Sequence, residues 1–192
     1  MRKGESVPKA LARCTVLDRE GRAIELASLW AKGPTLLVFL RHFGCLCLSA
    51  QMTELVPRLF DLHKLGMRTV FIGNGPPHQI DTFIERFLLV DKPVEIVTDP
   101  SLTSFRAAGL VRSWWAIFGP KALWEVIRAL GHGHINRWGQ GDNLQQGGIL
   151  LVDAEGKVAW YYRNLSIGGH PPSVEIVDAA IRTLLKQSPL LI

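Results

Sequence analysis

The chain is poor in cysteine. It has three in 192 residues, an odd number, which argues against a disulfide scaffold. A reducing setting, the cytoplasm first, fits such usage. There, neighbouring thiols are more often catalytic or metal-binding than structural. Long hydrophobic runs are also missing. No window of about 18 uninterrupted apolar residues occurs, so a membrane span is not expected. The amino terminus, Met1-Arg2-Lys3-Gly4-Glu5, is charged and leads into no apolar segment, so no secretory signal is expected. Runs of like charge are lacking too. The net charge of +5 is carried by scattered residues, which points to solubility and mild anion attraction and away from nucleic-acid binding. Internal repeats and low-complexity tracts are absent. What remains, 47% hydrophobic and 20% charged residues, is enough to build a full core in one domain, residues 1–192, with an insertion at about 110–146.

One stretch organises the rest. Thr35-Leu36-Leu37-Val38-Phe39-Leu40 is apolar and partly β-branched, as a central parallel strand should be. It ends at the basic pair Arg41-His42, turns at Gly44 and delivers Cys45 and Cys47 to the start of a helix. Leu48, Met52, Leu55, Leu59 and Leu62 follow the rhythm of that helix's buried face. The thiolate is the reactive form of cysteine, and a free thiol with a pKa near ~8.5 is mostly protonated at neutral pH. A helix amino terminus offers unpaired N–H groups and partial positive charge, both of which favour the anion. Arg41 and His42 add positive potential. The competing reading is that both cysteines are small buried apolar residues.

The order of elements follows from pattern. Residues 1–10 read as a loose lead-in. Cys14–Asp18 and Ala23–Leu26 flank a turn and form a hairpin, with Cys14 packed on it. After a short helical turn at Ser28–Trp30 come the central strand and the cysteine helix. Further strands are expected at Met67–Gly73 and Val94–Thr98, with helices from about His78 to Leu88 and from Ser101 to Ala108. Asp99 or Ser101 can cap the second helix. Residues 110–146 break the alternation: Trp114, Trp115, Ile117, Phe118, Leu123, Trp124, Val126, Ile127 and Leu130 imply one or two helices split near Gly119-Pro120, before a glycine-rich loop. Gly147-Gly148 then opens a strand through Asp153, Ala154–Lys157 turns, and Val158–Arg163 returns. Pro171-Pro172-Ser173 starts a last helix whose apolar residues are Val174, Ile176, Val177, Ala180, Ile181 and Leu184. Parallel strands with crossover helices plus an antiparallel pair make a three-layer α/β/α sandwich. A cysteine after the first core strand lies where such sheets hold their ligands.

With these residues named, the order resembles the thioredoxin fold, and more closely the peroxiredoxin-like branch of the alkyl hydroperoxide reductase/thiol-specific antioxidant (AhpC/TSA) superfamily. The resemblance is carried by Phe39–Cys45, by Gly141-Asp142-Asn143-Leu144-Gln145-Gln146-Gly147-Gly148, and by Tyr162-Arg163-Asn164 with His170-Pro171-Pro172. It covers residues 13 to 187. Two departures stand out. Relatives usually have Cys-x-x-Cys at the turn, whereas Leu48 occupies the second cysteine's place here and Cys47 comes one position early. Peroxiredoxins usually have a hydroxyl residue three before the cysteine and a proline seven before it, where this chain has His42 and Val38.

The resemblance implies an enzyme in which the Cys45 thiolate attacks the terminal oxygen of a hydroperoxide and becomes a sulfenic acid. An adjacent arginine would stabilise the charge; Arg163 is the first candidate and Arg41 the second. Cys47 is the nearest resolving thiol. Residues two apart on a helix point to different faces, so a Cys45–Cys47 bridge needs the first turn to unwind or to be non-helical from the start. An external thiol, glutathione or thioredoxin, is the alternative, and Cys14 a third. No cofactor and no metal is required, and a homodimer is left open. Thiol–disulfide exchange is the second activity. Outside redox enzymes, Cys45 and Cys47 with His132 and His134 would suit zinc or copper. The tryptophan-rich insertion would suit an interaction protein, although burial against the domain explains such residues as well.

Overall fold

The computed structural model describes residues 1–41, 43, 46–112, 142, 144–164 and 170–187, with backbone alone for Leu46 and Cys47. Its centre is a seven-stranded sheet in the order β2-β1-β5-β4-β3-β6-β7. The hairpin strands are β1 (Thr15–Leu17) and β2 (Ala23–Glu25). The strands β3 (Thr35–Phe39), β4 (Arg68–Gly73) and β5 (Glu95–Thr98) are parallel. Antiparallel to β3 runs β6 (Gly148–Val152), followed by β7 (Val158–Arg163) on the edge. All five residues of β3 and of β6 are buried. Strands covered on both faces read as unbroken apolar runs for that reason.

Two apolar layers flank the sheet. One is built by α2 (Leu46–Leu55), α3 (Leu59–Lys64), α4 (Gln79–Phe87) and α6 (Ser173–Gln187), through Leu48, Met52, Leu55, Leu59, Leu62, Phe83 and Ile176. The other is built by α1 (Lys9–Ala12), a 3-10 turn at Leu26–Leu29 and α5 (Thr103–Ala107), through Leu11, Leu26, Leu29 and Phe105. Each fully buried leucine or phenylalanine contributes about 1.5–3 kcal/mol of transfer free energy. The expected α/β/α sandwich, with its amino-terminal hairpin, is the fold.

Local differences have physical causes. The lead-in is not loose: Gly4 N–H donates to the Val158 carbonyl at 2.8 Å, Val158 N–H to that of Glu5 at 2.8 Å, and Val7 N–H to that of Gly156 at 3.1 Å. These bonds cover the exposed start of β7, an edge that otherwise invites foreign strands. The cysteine helix is not continuous to Leu62. A 3-10 turn at Val56–Arg58 separates α2 from α3, because Pro57 has no N–H to continue the ladder. Val174 is 63% exposed, outside the buried stripe of α6. At α5 both expected groups act: the Asp99 carboxylate accepts the Ser104 N–H at 2.7 Å, and the Ser101 hydroxyl accepts the Thr103 N–H at 3.3 Å. The insertion residues 113–141, with the tryptophans and His132 and His134, lie outside the described residues. Among the described residues no helix is long and apolar enough to cross a membrane.

Candidate active site

The carboxyl ends of the parallel strands gather several of the buried polar side chains. Arg41, two residues past β3, is only 8% exposed, Asn74 follows β4 at 3% and Asp99 follows β5 at 2%. From the other side come Gln145 and Gln146 before β6, and Asn164 after β7, all buried. Several of these tie the sheet end together. The Gln145 side-chain amide donates to the carbonyls of Val111 and Gln146, at 3.3 and 2.9 Å. Asn164 N–H donates to the Gly147 carbonyl at 3.1 Å. A Cβ on Gly147 would stand 2.4 Å from the Phe39 carbonyl oxygen, so only glycine lets the chain pass this close to β3. The insertion departs and returns here: Arg112 pairs with the Asp142 carboxylate at 2.7 Å, and Asn74 donates to the Asp142 carbonyl at 3.2 Å. The glutamine–glycine motif thus has an architectural role at the mouth of the site.

The cysteine turn enters this end from β3. Phe43 is buried and anchors the turn: its ring packs on Phe83 at 5.1 Å, and Phe83 on Phe87 at 5.0 Å. The ring lies so close over Gly73, the last residue of β4, that a Cβ there would meet it at 2.1 Å. Helix α2 begins at Leu46, with no acidic residue in its first turn. Cys45, the residue before it in sequence, lies outside the described residues, as does His42. Cys47 is the second residue of α2.

A cation that pattern reading does not single out reaches the turn from α4. Arg86 Nη1 donates to the Phe43 carbonyl at 3.2 Å and Nη2 to the Ser49 hydroxyl at 2.9 Å. Its partner Phe43 is 43 residues away in sequence, and no local pattern announces such a contact.

The two arginines expected at the site have different surroundings. Arg41 is buried at the base of the turn and has contacts inside the fold. Arg163, at the end of β7, is exposed. Its Cα stands in one row with Gly148 and Phe39 across β6 and β3. Phe39 and Tyr161 pack in the α1/α5 layer, so alternation along β7 sets Arg163 on that face, opposite α2. Burial pushes the Tyr161 phenol up, and the Arg163 charge opposes this.

Cys14 is a different kind of thiol. It is 5% exposed, and its Sγ donates to the Ala10 carbonyl at 3.1 Å. Burial pushes its pKa up, Asp99 pushes the same way, and Arg106 opposes them. Among the described residues no group of three or more His, Cys, Asp or Glu side chains is placed to hold a metal ion. Three of the four residues of the zinc or copper alternative, Cys45, His132 and His134, lie outside that set.

A mixed sheet whose central strand β3 is followed by helix α2, with helices on both faces, is the thioredoxin-like fold. The bacterioferritin comigratory protein of Xanthomonas campestris, whose structure was determined in connection with alkyl peroxide reduction, superposes with a TM-score of 0.67 at 14% identity, over 95% of this chain and 99% of that one. Residues 54–166, more than half of the chain, match the AhpC/TSA antioxidant enzyme family, and the chain belongs to that family. Its function is thiol-based redox chemistry of the antioxidant kind. The matched stretch begins beyond Cys45 and Cys47, so membership rests on the rest of the fold. Relatives include a prostamide/prostaglandin F synthase of Salmo salar, 31% identical over 83% of this chain and 80% of that protein. Another is the chloroplastic thioredoxin-like protein AAED1 of Arabidopsis thaliana, 26% identical over 92% of this chain and 73% of that protein.

Proposed function

We propose that this chain reduces hydroperoxides through Cys45. The observation that carries the proposal is the start of α2 at Leu46, directly after Cys45 and free of acidic side chains in its first turn. Helix N–H groups and the helix dipole favour a thiolate at such a position. The Cys45 thiolate attacks the terminal peroxide oxygen, the O–O bond breaks, and the alkoxide leaves with a proton as an alcohol. Cysteine is oxidised by two electrons to the sulfenic acid. An incoming thiol then displaces water to form a disulfide, and a second thiol releases Cys45 reduced.

The placement of Cys47 inside α2 supports an external thiol, of the glutathione or thioredoxin kind, as the resolving group. Cys14 is disfavoured. It directly precedes β1, which lies three strand spacings from β3, about 14 Å, while a disulfide needs Cα atoms within about 7 Å. For the stabilising cation, burial beside the turn favours Arg41 over Arg163. A reducing compartment such as the cytoplasm suits this chemistry. Thiol–disulfide exchange through Cys45 and Cys47 is the second reading, favoured by two thiols in one helical turn.

The test is mass spectrometry of the folded protein after one equivalent of hydrogen peroxide, with a sulfenic-acid trap present. An adduct on Cys45 is expected. Three unmodified cysteines overturn the proposal.

A further inference from the structure

We propose that a cleft at the amino end of the sheet is a second ligand site, one that takes a compact organic anion with a flat apolar body, of the aryl phosphate kind. The cleft has a volume of about 200 Å³ and lies between the amino-terminal segment, the start of β7 and the second half of α6. Val158, in its wall, stands in one row with Val152 and Thr35, the first residue of β3. The polar groups of the candidate active site, Arg41, Asn74 and Asp99 among them, gather at the other end of the parallel strands. The two sites are thus separated by the length of the central strand, and the second does not depend on the role of Cys45.

Three cations reach the cleft from opposite ends of the chain: Lys3, and Arg182 with Lys186 one turn apart on α6. None of the three forms an ion pair among the described residues. The backbone bond from Gly4 N–H to the Val158 carbonyl, 2.8 Å, holds Lys3 at the rim. The acids nearby are engaged or turned outward. Asp153, the one carboxylate in the wall, accepts the N–H groups of Glu155 and Lys157 through Oδ1, at 3.0 and 2.8 Å. Glu155 pairs with Lys157 at 2.6 Å, and Glu175 and Asp178 on α6 are exposed. Three cations against one carboxylate leave a surplus of two positive charges in the wall. The carboxyl end of a helix carries partial negative charge, so side chains and not backbone N–H groups must hold an anion here. Arg182 supplies a planar fork that matches phosphate oxygens, and the lysines supply point charges. The rest of the wall is apolar: Val158 and Ala179 are buried, and the Trp160 ring is half-buried and stacked on Tyr162 at 6.0 Å. A flat ring packs on such a surface, and a bare ion leaves it wet. The volume lies below the ~300–1,000 Å³ of pockets for drug-sized ligands, which sets the class as compact.

The test is calorimetric titration of the full chain at low salt with phenyl phosphate, inorganic phosphate and phenol. Phenyl phosphate is expected to saturate one site per chain. Inorganic phosphate should bind about fivefold more weakly, the scale of a few apolar atoms leaving the wall, and phenol should not bind measurably. Arg182→Gln combined with Lys186→Gln should weaken phenyl phosphate about tenfold, or about threefold for each exposed charge. Arg13→Gln combined with Arg106→Gln removes the same charge from the α1/α5 layer and should change the affinity by less than about twofold, since distant exposed charges are screened. All four positions are exposed, and circular dichroism confirms that the variants are folded. The proposal is overturned if phenyl phosphate fails to saturate, or if the α6 double variant binds it as the wild type does. Inorganic phosphate binding as tightly as phenyl phosphate also overturns it, because the apolar wall then contributes nothing. Every readout is independent of Cys45, so failure here leaves the proposed function standing.

Discussion

The two ends of the cysteine inventory teach opposite lessons about what makes a thiol reactive. Cys14 sits in a dry layer among Leu11, Val16, Leu26 and Phe105, with its hydrogen committed to the Ala10 carbonyl. Burial and the Asp99 carboxylate both hold it in the neutral form. The segment that carries Cys45 and Cys47 in sequence has different described neighbours: α2 begins at Leu46, Arg41 is buried just before it, and Arg86 bonds Phe43 and Ser49. Both regions are anchored by core aromatics, so packing does not separate them. The charged groups around their described neighbours differ: Asp99 and Arg106 near Cys14, Arg41 and Arg86 near Phe43 and Ser49.

The sharpest way to break this comparison is to exchange the residues for serine. Cys45→Ser should abolish peroxide consumption, a loss of at least about a hundredfold, while Cys14→Ser should change it by less than about twofold. If Cys45→Ser keeps turnover and Cys47→Ser loses it, the roles within the turn are reversed. The next effect separates the two candidate cations. Arg41→Met should slow the Cys45–peroxide reaction by about a hundredfold, the scale for removing a preorganised charge from a reacting centre. Arg163→Met, on the opposite face, should slow it by less than about threefold. Stopped-flow rates of the two variants decide between them, and a larger effect at Arg163 would restore it as the first candidate.

Arg163 also shows where sequence reasoning stops. Strict alternation from the inward-facing Val158 would set Arg163 on the α2 face, beside the cysteine helix. A register shift opposite Leu151 and Val152 inserts Ala159 as an extra residue. Trp160 and Tyr162 then pack in the α2 layer and Tyr161 in the other. One extra residue flips every side chain beyond it, and nothing in Val158–Arg163 announces the bulge. The buried strands were legible because burial on both faces leaves continuous apolar runs. The helix that follows β3 was legible because the apolar run gives way to helical spacing after it. The edge pairing of residues 4–7 with β7 joins segments about 150 residues apart in backbone bonds, which carry no side-chain signature. Arg86 was invisible for the same reason: α4 displays its apolar stripe, and the reach of one polar residue across to another loop depends on the assembled layer.

The anchoring of the turn gives a stability test. Gly73→Ala places a methyl group within the Phe43 ring, and overpacking of this kind costs about 1–3 kcal/mol. Chemical denaturation should show that loss. The same variant should slow Cys45, because relief of the clash moves Phe43 and with it the carbonyl that Arg86 holds. Unchanged stability would mean that the turn shifts freely, and that its geometry is not set by the Phe43–Gly73 contact.

The smallest effect concerns Cys14 and has a definite sign. Its folded pKa is raised above that of the unfolded chain. The folded protein therefore keeps the Cys14 proton at pH values where the unfolded chain, with a thiol near ~8.5, has begun to release it. The stability linked to this proton is fully present below the unfolded value. It is lost progressively as pH rises from there through the folded value. Denaturation midpoints measured from pH 7 to pH 10 should fall less steeply in Cys14→Ala than in the wild type. The offset between the curves at neutral pH reports the packing lost with the thiol. Burial also pushes up the Tyr161 phenol, but it titrates from a higher starting value and steepens both curves alike. Parallel curves for wild type and Cys14→Ala would mean that Cys14 ionises as readily in the folded chain as in the unfolded one. The contrast between the two cysteine environments would then reduce to the helix terminus and its arginines.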